Sequence, residues 1–300
     1  GASCTVTLRD VDEEFLGRNY IDRIIRLADE KSDAQRYEGK GEHWELLWAS
    51  AEKEAFWSTD PTEAMAGKGW LVQGPTKGKW FFRPEAAALM RAMERIAVEE
   101  VLLPLGFQEV IESHIVPLET WGRTGHLEGS PNEIYYVCQP RTRDPAEWES
   151  FRDHLKVTRQ VDHGMLRDLL DVPRAGISYA QCPNIYWSFK GTTIAQEDLP
   201  VLVFDRAANS CRYESGGRHG IERVDEFHRI EPVYIGTEDQ LLELRQGLIE
   251  RYTHVFEKIL ELEWRMAWVT PFYMQQAGKH GLDQDQGSKT GPGAGDGGCD

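Results

Sequence analysis

Apolar residues at helical spacing predict the long helices of this chain. Loosely spaced isoleucines and leucines favour a helix over 19–36, and tryptophans and leucines favour a second over 42–56. Pro84 suits the first turn of a helix over 84–103, and Gly106 provides a stop signal just beyond it. An apolar stripe from Leu241 to Leu262 predicts a long amphipathic helix over 238–265.

Shorter apolar runs predict strands between these helices. The runs lie at 107–116, 134–138, 177–181, 199–204 and 268–272. Residues 58–79, rich in Gly, Pro, Thr and Lys, predict a loop, whereas the polar stretch 140–175 predicts short helices. Long helices on an antiparallel set of strands indicate the α+β class.

The segment 211–231 concentrates charged and aromatic residues on two predicted strands joined by a polar, glycine-bearing loop at 215–220. Because side chains alternate between the faces of a strand, Arg212 and Glu214 share one face of the first strand. Phe227, Arg229 and Glu231 share one face of the second. Guanidinium groups hold phosphate oxygens and an aromatic face stacks on a base, so a hairpin of these strands suits a polyanion. The alternative is a solvated hairpin whose charges form surface ion pairs.

Composition narrows the class of protein. The chain has 300 residues, 40% hydrophobic and 28% charged, enough for one large domain or two smaller ones. A formal net charge of −16 disfavours nucleic-acid binding unless basic residues gather on one face, and no long basic run exists. No stretch approaches the roughly 20 apolar residues of a membrane span. Five scattered cysteines form no disulfide framework and, with no secretion signal at the N-terminus, favour the cytoplasm.

The hairpin resembles motif 2 of class II aminoacyl-tRNA synthetases, which reads Arg-x-Glu, a loop, and then Phe at the end of a short run. Here the matching residues are Arg212-Tyr213-Glu214 and Arg223-Val224-Asp225-Glu226-Phe227. Four further stretches are similar to the unusual seryl-tRNA synthetase of methanogenic archaea. They are GEHWELLW (41–48), GHLEGSPNEIYYVCQPRTRDP (125–145), YAQCPNIYW (179–187) and VFDRAANSCRYESGG (203–217). The resemblance covers most of 15–282.

The resemblance implies a fold and a chemistry. The fold is a class II aminoacyl-tRNA synthetase-like antiparallel sheet flanked by helices, in a homodimer. Serine attacks the α-phosphate of ATP, bound with Mg²⁺, and releases pyrophosphate; the seryl group then passes from seryl-adenylate to tRNA(Ser). A catalytic-domain Zn²⁺ binds the serine directly.

Roles carry over residue by residue. Arg212 and Glu214 are the expected catalytic residues: Arg212 would hold the α-phosphate and face the serine carboxylate, and Glu214 would contact the base or ribose of ATP. Phe227 would stack on adenine, with core packing as the alternative. The remaining residues on the ATP side are Tyr213, Arg223 and Val224. The remaining serine-binding residues are Ala180, Arg229 and Gln276, and two of three expected zinc ligands are Cys182 and Glu231.

The chain departs from the family pattern in several places. Residues 1–13 match only the end of an N-terminal tRNA-binding domain, 14–282 form the expected catalytic core, and 283–300 form a Gly-rich tail expected to be flexible. Ser113 stands at the motif 1 proline, with Pro117 out of register. Motif 3 and the zinc-ligating cysteine before it have no match, and Cys299 lies in unrelated context. We therefore expect a truncated core.

Two alternatives to a serine–tRNA ligase stay open. An amino acid:carrier-protein ligase shares this type of core, lacks a tRNA-binding domain and favours small amino acids such as glycine or alanine. A catalytically inactive synthetase paralogue would fit the missing motif 3, although the retained Arg212, Glu214, Arg229, Cys182 and Glu231 argue against it.

Overall fold

The computed structural model describes residues 44–214 and 217–269, together with 7, 13, 20–26 and 28. Residues 20–26 are helical, in agreement with the helix predicted over 19–36. Apart from residues 7 and 13, the connector 1–13 and the tail 283–300 lie outside the described residues, as do Gln276 and Cys299.

Besides the helical residues 20–26, the described ranges contain ten strands and eight α-helices. The strands are β1 (Trp44–Ala49), β2 (Leu71–Gln73), β3 (Trp80–Phe82), β4 (Gln108–Val110), β5 (Ile115–Pro117), β6 (Tyr136–Val137), β7 (Ala175–Ile177), β8 (Val201–Cys211), β9 (Glu226–Ile235) and β10 (Arg265–Val269). The helices are α1 (Pro61–Gly67), α2 (Pro84–Ile96), α3 (Leu118–Arg123), α4 (His126–Gly129), α5 (Glu149–Thr158), α6 (His163–Leu169), α7 (Cys182–Ser188) and α8 (Glu238–His254).

The sheet that carries the site has the order β4-β8-β9. β8 and β9 are antiparallel, with Asp205 opposite Glu231 and Ala207 opposite Arg229, and the register shifts between Ala207 and Ser210. β4 runs parallel to β8 at the other edge. The predicted hairpin is therefore present.

One face of this sheet packs on helices. Phe204 of β8 is 1% exposed and belongs to a core with Val101, Leu102, Phe107 and Leu244. Val101 and Leu102 come from the π-helical turn Ala97–Leu102 that follows α2, and Leu244 comes from α8. Phe107 directly precedes β4. The apolar stripe predicted for 238–265 thus covers the sheet, although α8 ends at His254 and a π-helical turn continues it to Ile259.

The predicted helix over 84–103 is confirmed. Pro84 opens α2, which continues through a π-helical turn at Ala97–Leu102 and a 3₁₀ turn at Leu103–Leu105. Gly106 then adopts a φ of 86°, which a residue with a Cβ rarely takes, and so ends the helix as predicted.

The helix predicted over 42–56 is wrong, because this segment contains β1. β1 pairs antiparallel with β10, placing Trp44 opposite Val269. Trp48 also meets Trp264, with ring centroids 4.4 Å apart. A short apolar run fits the period of a helix and that of a strand equally well. Here pairing with β10, far along the chain, favours the strand.

The loop predicted over 58–79 is only partly correct. Asp60 caps α1 by accepting hydrogen bonds from the backbone N–H groups of Thr62 and Glu63, and β2 pairs with β3 beyond it. Among the other predicted strands, 107–116 divides into β4 and β5, 134–138 contains β6, and 199–204 overlaps the start of β8. The strand predicted over 177–181 is mostly wrong, because it shares only Ile177 with β7. The strand predicted over 268–272 overlaps the end of β10, and 270–272 lie outside the described residues. The polar stretch 140–175 contains the short helices α5 and α6, as predicted.

A second sheet, of order β5-β7-β6, lies beside the site. Its core contains Val116, Trp121, Ile134, Tyr179 and Ala180, each at most 6% exposed. Within the described ranges, no helix combines the length and apolar character that crossing a membrane requires.

Truncation of the helix-side core should be costly. We expect Phe204→Ala to lower the free energy of unfolding by about 3–5 kcal/mol, because it leaves a cavity between the sheet and its helices. Urea unfolding measures the change. The matched control is Ile111→Ala, whose side chain is 92% exposed and should change stability by less than about 0.5 kcal/mol. Equal effects of the two substitutions would contradict this assignment of the core.

Candidate active site

Arg212 lies just beyond β8 and is held from several sides. Its guanidinium approaches Glu133 Oε2 through Nε at 2.9 Å and Nη2 at 2.6 Å, and its Nε is 3.8 Å from Glu214 Oε1. The guanidinium carbon is 6.0 Å from the centre of the Tyr179 ring, and the backbone N–H donates to the carbonyl of Asp225. These contacts hold the guanidinium in one orientation. A preformed binding site for a phosphate requires such a fixed orientation.

Glu214 and Arg223 are brought together, as expected, and pair with each other. Arg223 Nε donates to Glu214 Oε2 at 2.8 Å. The Glu214 side chain is 15% exposed and that of Arg223 is 62% exposed, so Glu214 is largely buried while Arg223 faces solvent. Val224 is half-buried beside it.

Asp225 is the buried carboxylate that organises the loop between the strands. It is 2% exposed and accepts hydrogen bonds from Arg218 Nε and Nη2 at 2.8 and 2.7 Å, the Tyr135 hydroxyl at 2.6 Å and the Glu214 backbone N–H at 3.0 Å. Burial raises the pKa of Asp225, but hydrogen bonds from Arg218, Tyr135 and Glu214 outweigh it and hold the pKa below its ordinary value. Burial and Asp225 together raise the pKa of Tyr135 to about 12.

The tip of the loop is tied to elements far away in the sequence. Trp80 Nε1 donates to the Gly220 carbonyl at 2.8 Å, and the Ile221 N–H donates to Thr62 Oγ1 at 3.0 Å. Gly220 has a φ of 47°, and a Cβ there would clash with the Thr62 hydroxyl. The loop is therefore seated against α1 and β3, and position 220 requires glycine.

Tyr213 lies on the outer side of this loop. Its side chain is 44% exposed, its ring meets that of Tyr135 edge-on at 6.0 Å, and Arg218 lies 5.0 Å from the ring centre. Tyr213 thus borders the site, facing solvent.

The predicted shared face of Phe227, Arg229 and Glu231 is confirmed by the strand register. Arg229 Nε lies 2.9 Å from Glu231 Oε2, and its Nη1 donates to the Tyr179 carbonyl at 2.5 Å. Tyr179 therefore contacts Arg229 through its backbone and Arg212 through its ring. Phe227 packs partly buried against the core of the second sheet.

Cys182 and Glu231 lie in contact at the start of α7. The Gln181 N–H donates to Glu231 Oε2 at 3.0 Å, and Cys182 is the first residue of the helix. Burial raises the pKa of the Cys182 thiol, and the charge of Glu231 and a hydrogen bond to it raise that pKa further. Ala180, two residues before Cys182, is buried.

A thiol and a carboxylate in contact suit a thiophilic divalent cation, because such a cation stabilises both deprotonated groups. Of the residues that the structure describes, however, no three His, Cys, Asp or Glu side chains group so as to hold a metal. The described residues thus offer two donors of the proposed set, and Cys299 is not among them.

Comparison with known proteins identifies the relationship. No family model matches the chain. The type-2 serine–tRNA ligase of Methanothrix thermoacetophila is 49% identical over 269 residues, covering 90% of this chain and 53% of that protein. That of Methanococcoides burtonii is 47% identical over 275 residues, covering 92% and 55%. This chain is a homologue of the type-2 serine–tRNA ligases. It spans about half the length of the curated relatives it matches.

Solved structures agree with this relationship and show the class II fold. The M. kandleri SerRS in complex with A. aeolicus tRNASec superposes with a TM-score of 0.78 at 31% identity, over 90% of this chain and 54% of that one. The Giardia lamblia prolyl-tRNA synthetase, solved with prolyl-adenylate, gives a TM-score of 0.51 at 17% identity, over 64% of this chain and 34% of that one, and bears on the fold alone.

Sequence reasoning missed three residues of this candidate site: Glu133, Tyr179 and Asp225. Glu133 lies 79 residues before Arg212, so local spacing carries no sign of their contact. Glu133 and Tyr179 both stand inside stretches quoted for the family resemblance, which was the available signal. Asp225 lies within the motif 2 match itself, where its burial could not be read from the pattern.

The Asp225 network should make stability depend on pH. Since folding lowers the pKa of Asp225, its contribution is fully present above the ordinary value of 3.8 and is lost as pH falls through the lower, folded value. We expect Asp225→Asn to reduce the urea midpoint at pH 7 and the difference from wild type to shrink below pH 3.8. Asp153→Asn, at an exposed carboxylate paired with Lys156, is the control and should leave the midpoint unchanged. A difference independent of pH would show that the charge of Asp225 is not what matters.

Proposed function

We propose that this chain is the catalytic core of a serine–tRNA ligase, which activates L-serine with ATP and transfers the seryl group to tRNA(Ser). The observation that carries the proposal is the 49% identity to a type-2 serine–tRNA ligase across 90% of the chain, a span that includes the Arg212 site. The geometry supports it, since Arg212 and Arg229 are fixed cations that both approach Tyr179, and Arg229 pairs with Glu231, the carboxylate in contact with Cys182.

In this proposal Arg212 acts on the first chemical step. A carboxylate oxygen of serine attacks the α-phosphorus of ATP, a new O–P bond forms, and the bond to pyrophosphate breaks. Negative charge develops on the α-phosphoryl oxygens, and a guanidinium already held by Glu133 stabilises it without reorganising. In the second step a terminal ribose hydroxyl of the tRNA attacks the seryl carbonyl and AMP leaves.

The ATP-binding residues would be Arg212, Tyr213, Glu214, Arg223, Val224 and Phe227. Glu214 would meet the base or ribose, and Phe227, which is only partly buried, would stack on adenine. Mg²⁺ accompanies ATP and offsets the charge of the phosphates. Binding would exchange the Arg223–Glu214 ion pair for contacts to the nucleotide, at little cost because Arg223 is largely solvated.

The serine-binding residues would be Ala180, Arg212, Arg229 and Gln276. Arg229 is suited to the serine or phosphate side, because Glu231 and the Tyr179 carbonyl fix its guanidinium. Ala180 carries a small side chain two residues before Cys182, which would suit a small substrate.

Cys182 and Glu231 would hold Zn²⁺, with the third protein ligand supplied from outside the described residues. When bound, the metal supplies a Lewis-acidic position for the amino group and hydroxyl of serine. A site built to hold a hydroxyl rejects amino acids that lack one, which would exclude alanine and valine.

The proposed partners are ATP, L-serine and tRNA(Ser), with the core acting as a homodimer. The complex of M. kandleri SerRS with tRNASec supports a tRNA as the acceptor. A reducing cytoplasm is the proposed compartment, because the described cysteines Cys138, Cys182 and Cys211 are free thiols.

The test is ATP–pyrophosphate exchange with serine, threonine, glycine, alanine and cysteine. Exchange with serine supports the proposal, whereas exchange with glycine or alanine indicates a carrier-protein ligase. Bound zinc without any seryl-adenylate formation by the folded chain indicates an inactive paralogue.

Arg212→Ala should lower the rate of serine-dependent exchange by about 10²–10³-fold, because the charge at phosphorus loses its fixed donor. Arg212→Lys should recover little of the rate, since an ammonium cannot reproduce the fork. The matched control is Arg167→Ala, whose side chain is 82% exposed and should leave exchange unchanged. Full activity of Arg212→Ala would remove Arg212 from the phosphate site.

Cys182→Ser should remove bound zinc and serine activation together, because an alcohol is a much weaker zinc donor than a thiolate. Metal content of the purified chain measures the first effect and pyrophosphate exchange the second. Cys138→Ser, at an exposed thiol, is the control and should retain zinc. Unchanged zinc in Cys182→Ser would refute the ligand assignment.

A further inference from the structure

We propose that Glu133 is a positioning residue for Arg212, and that its carboxylate sets the direction in which the guanidinium meets the α-phosphate. The inference rests on the proposed function, since it assigns Arg212 to the phosphate. Glu133 ends the 3₁₀ turn Pro131–Glu133 that follows α4, on a segment separate from the hairpin.

The contact uses one edge of the guanidinium. Glu133 Oε2 lies 2.9 Å from Nε and 2.6 Å from Nη2 of Arg212. Arginine carries five N–H donors in a rigid plane, so anchoring this edge fixes the plane and leaves the Nη1 side for an incoming anion. The two described carboxylates that pair with Arg212 approach the Nε–Nη2 edge, Glu133 through Nη2 and Nε and Glu214 through Nε.

Glu214 cannot take over this role. Its nearer oxygen lies 3.8 Å from Arg212 Nε, beyond hydrogen-bond distance, and its other oxygen accepts from Arg223. Glu133 is therefore the carboxylate that directs Arg212, while Tyr179 supports the guanidinium at 6.0 Å.

The environment strengthens the Glu133–Arg212 pair. The Glu133 side chain is 15% exposed and that of Arg212 is 37% exposed, so water screens the pair less than it screens a fully exposed one. The same residue also fixes the backbone, because the Glu133 carbonyl accepts the Tyr213 N–H at 2.9 Å and Ile134 bridges to Arg212.

These two kinds of contact can be separated by mutation. Glu133→Gln keeps the backbone contacts and the side-chain size but removes the charge that directs the guanidinium. A misdirected Arg212 should still carry its positive charge, so substrate affinity should change less than the rate of the chemical step.

The experiment measures single-turnover formation of seryl-adenylate. We expect Glu133→Gln to lower the rate by about 10–10²-fold, while the serine and ATP concentrations for half-saturation change less than threefold. The control is Glu119→Gln, which breaks the exposed Glu119–Arg123 pair and should leave the rate unchanged. In an Arg212→Ala background, Glu133→Gln should cause no further loss, since Glu133 acts through Arg212. Additive losses, or a wild-type rate in Glu133→Gln, would overturn the proposal.

A second measurement needs no catalysis. In the ¹⁵N–¹H spectrum, the Nε–H signal of Arg212, assigned by its absence in Arg212→Lys, should exchange slowly with solvent in the wild-type chain. It should exchange rapidly in Glu133→Gln. An Arg212 signal in the wild type that exchanges like free arginine would overturn the proposal even if Glu133→Gln does not fold.

The two readouts keep this inference distinct from the proposed function. In one outcome the wild-type chain forms no seryl-adenylate, but its Arg212 Nε–H exchanges slowly and that of Glu133→Gln exchanges rapidly. The proposed function then fails, and the positioning of Arg212 by Glu133 stands. If adenylate forms and the signal is unprotected, the function stands and the positioning fails.

Discussion

The antiparallel pairing of β8 with β9 is the constraint on which the candidate site depends. Because side chains alternate along both strands, one register places Phe204 toward the helices while Arg229 and Glu231 project from the opposite face. A slip of one residue would exchange these faces and send charged groups into the apolar core. Burial of the apolar face against the helices therefore also fixes which charged side chains lie on the opposite face.

Four arginines gather at the candidate site, and each of them has a carboxylate partner. Arg212 meets Glu133, Arg223 meets Glu214, Arg218 meets Asp225 and Arg229 meets Glu231. Charges removed from water cost free energy unless they are paired, so a carboxylate partner for each guanidinium lowers the cost of the partly buried ones. The same arrangement makes each cation directional, which a ligand for a phosphate or carboxylate requires.

The loop between β8 and β9 is held by hydrogen bonds to a buried carboxylate and to distant elements, not by strand pairing. Asp225 ties the strand end to Arg218 and Tyr135, while Trp80 and Thr62 anchor the tip through backbone groups. A loop that carries substrate contacts gains precision when rigid elements support it, and here the support comes from segments about 140–160 residues earlier. The β2–β3 region is thereby linked to the site, although its own sequence shows no catalytic residue.

The sequence by itself determined the elements whose signals are local. Hydrophobic period and Pro84 predicted α2, Gly106 predicted the stop beyond it, and period predicted most of α8. Strand alternation predicted the shared face of Phe227, Arg229 and Glu231. The pattern of helices and strands indicated the α+β class, and the family resemblance then supplied the class II fold, which the solved structures share. Only the tertiary structure decided that 44–49 is a strand, because its partner β10 lies more than two hundred residues along the chain. It also decided that Glu133 and Tyr179 surround Arg212 and that Asp225 is buried. Those outcomes depend on contacts between segments far apart in sequence, which local period and propensity do not encode.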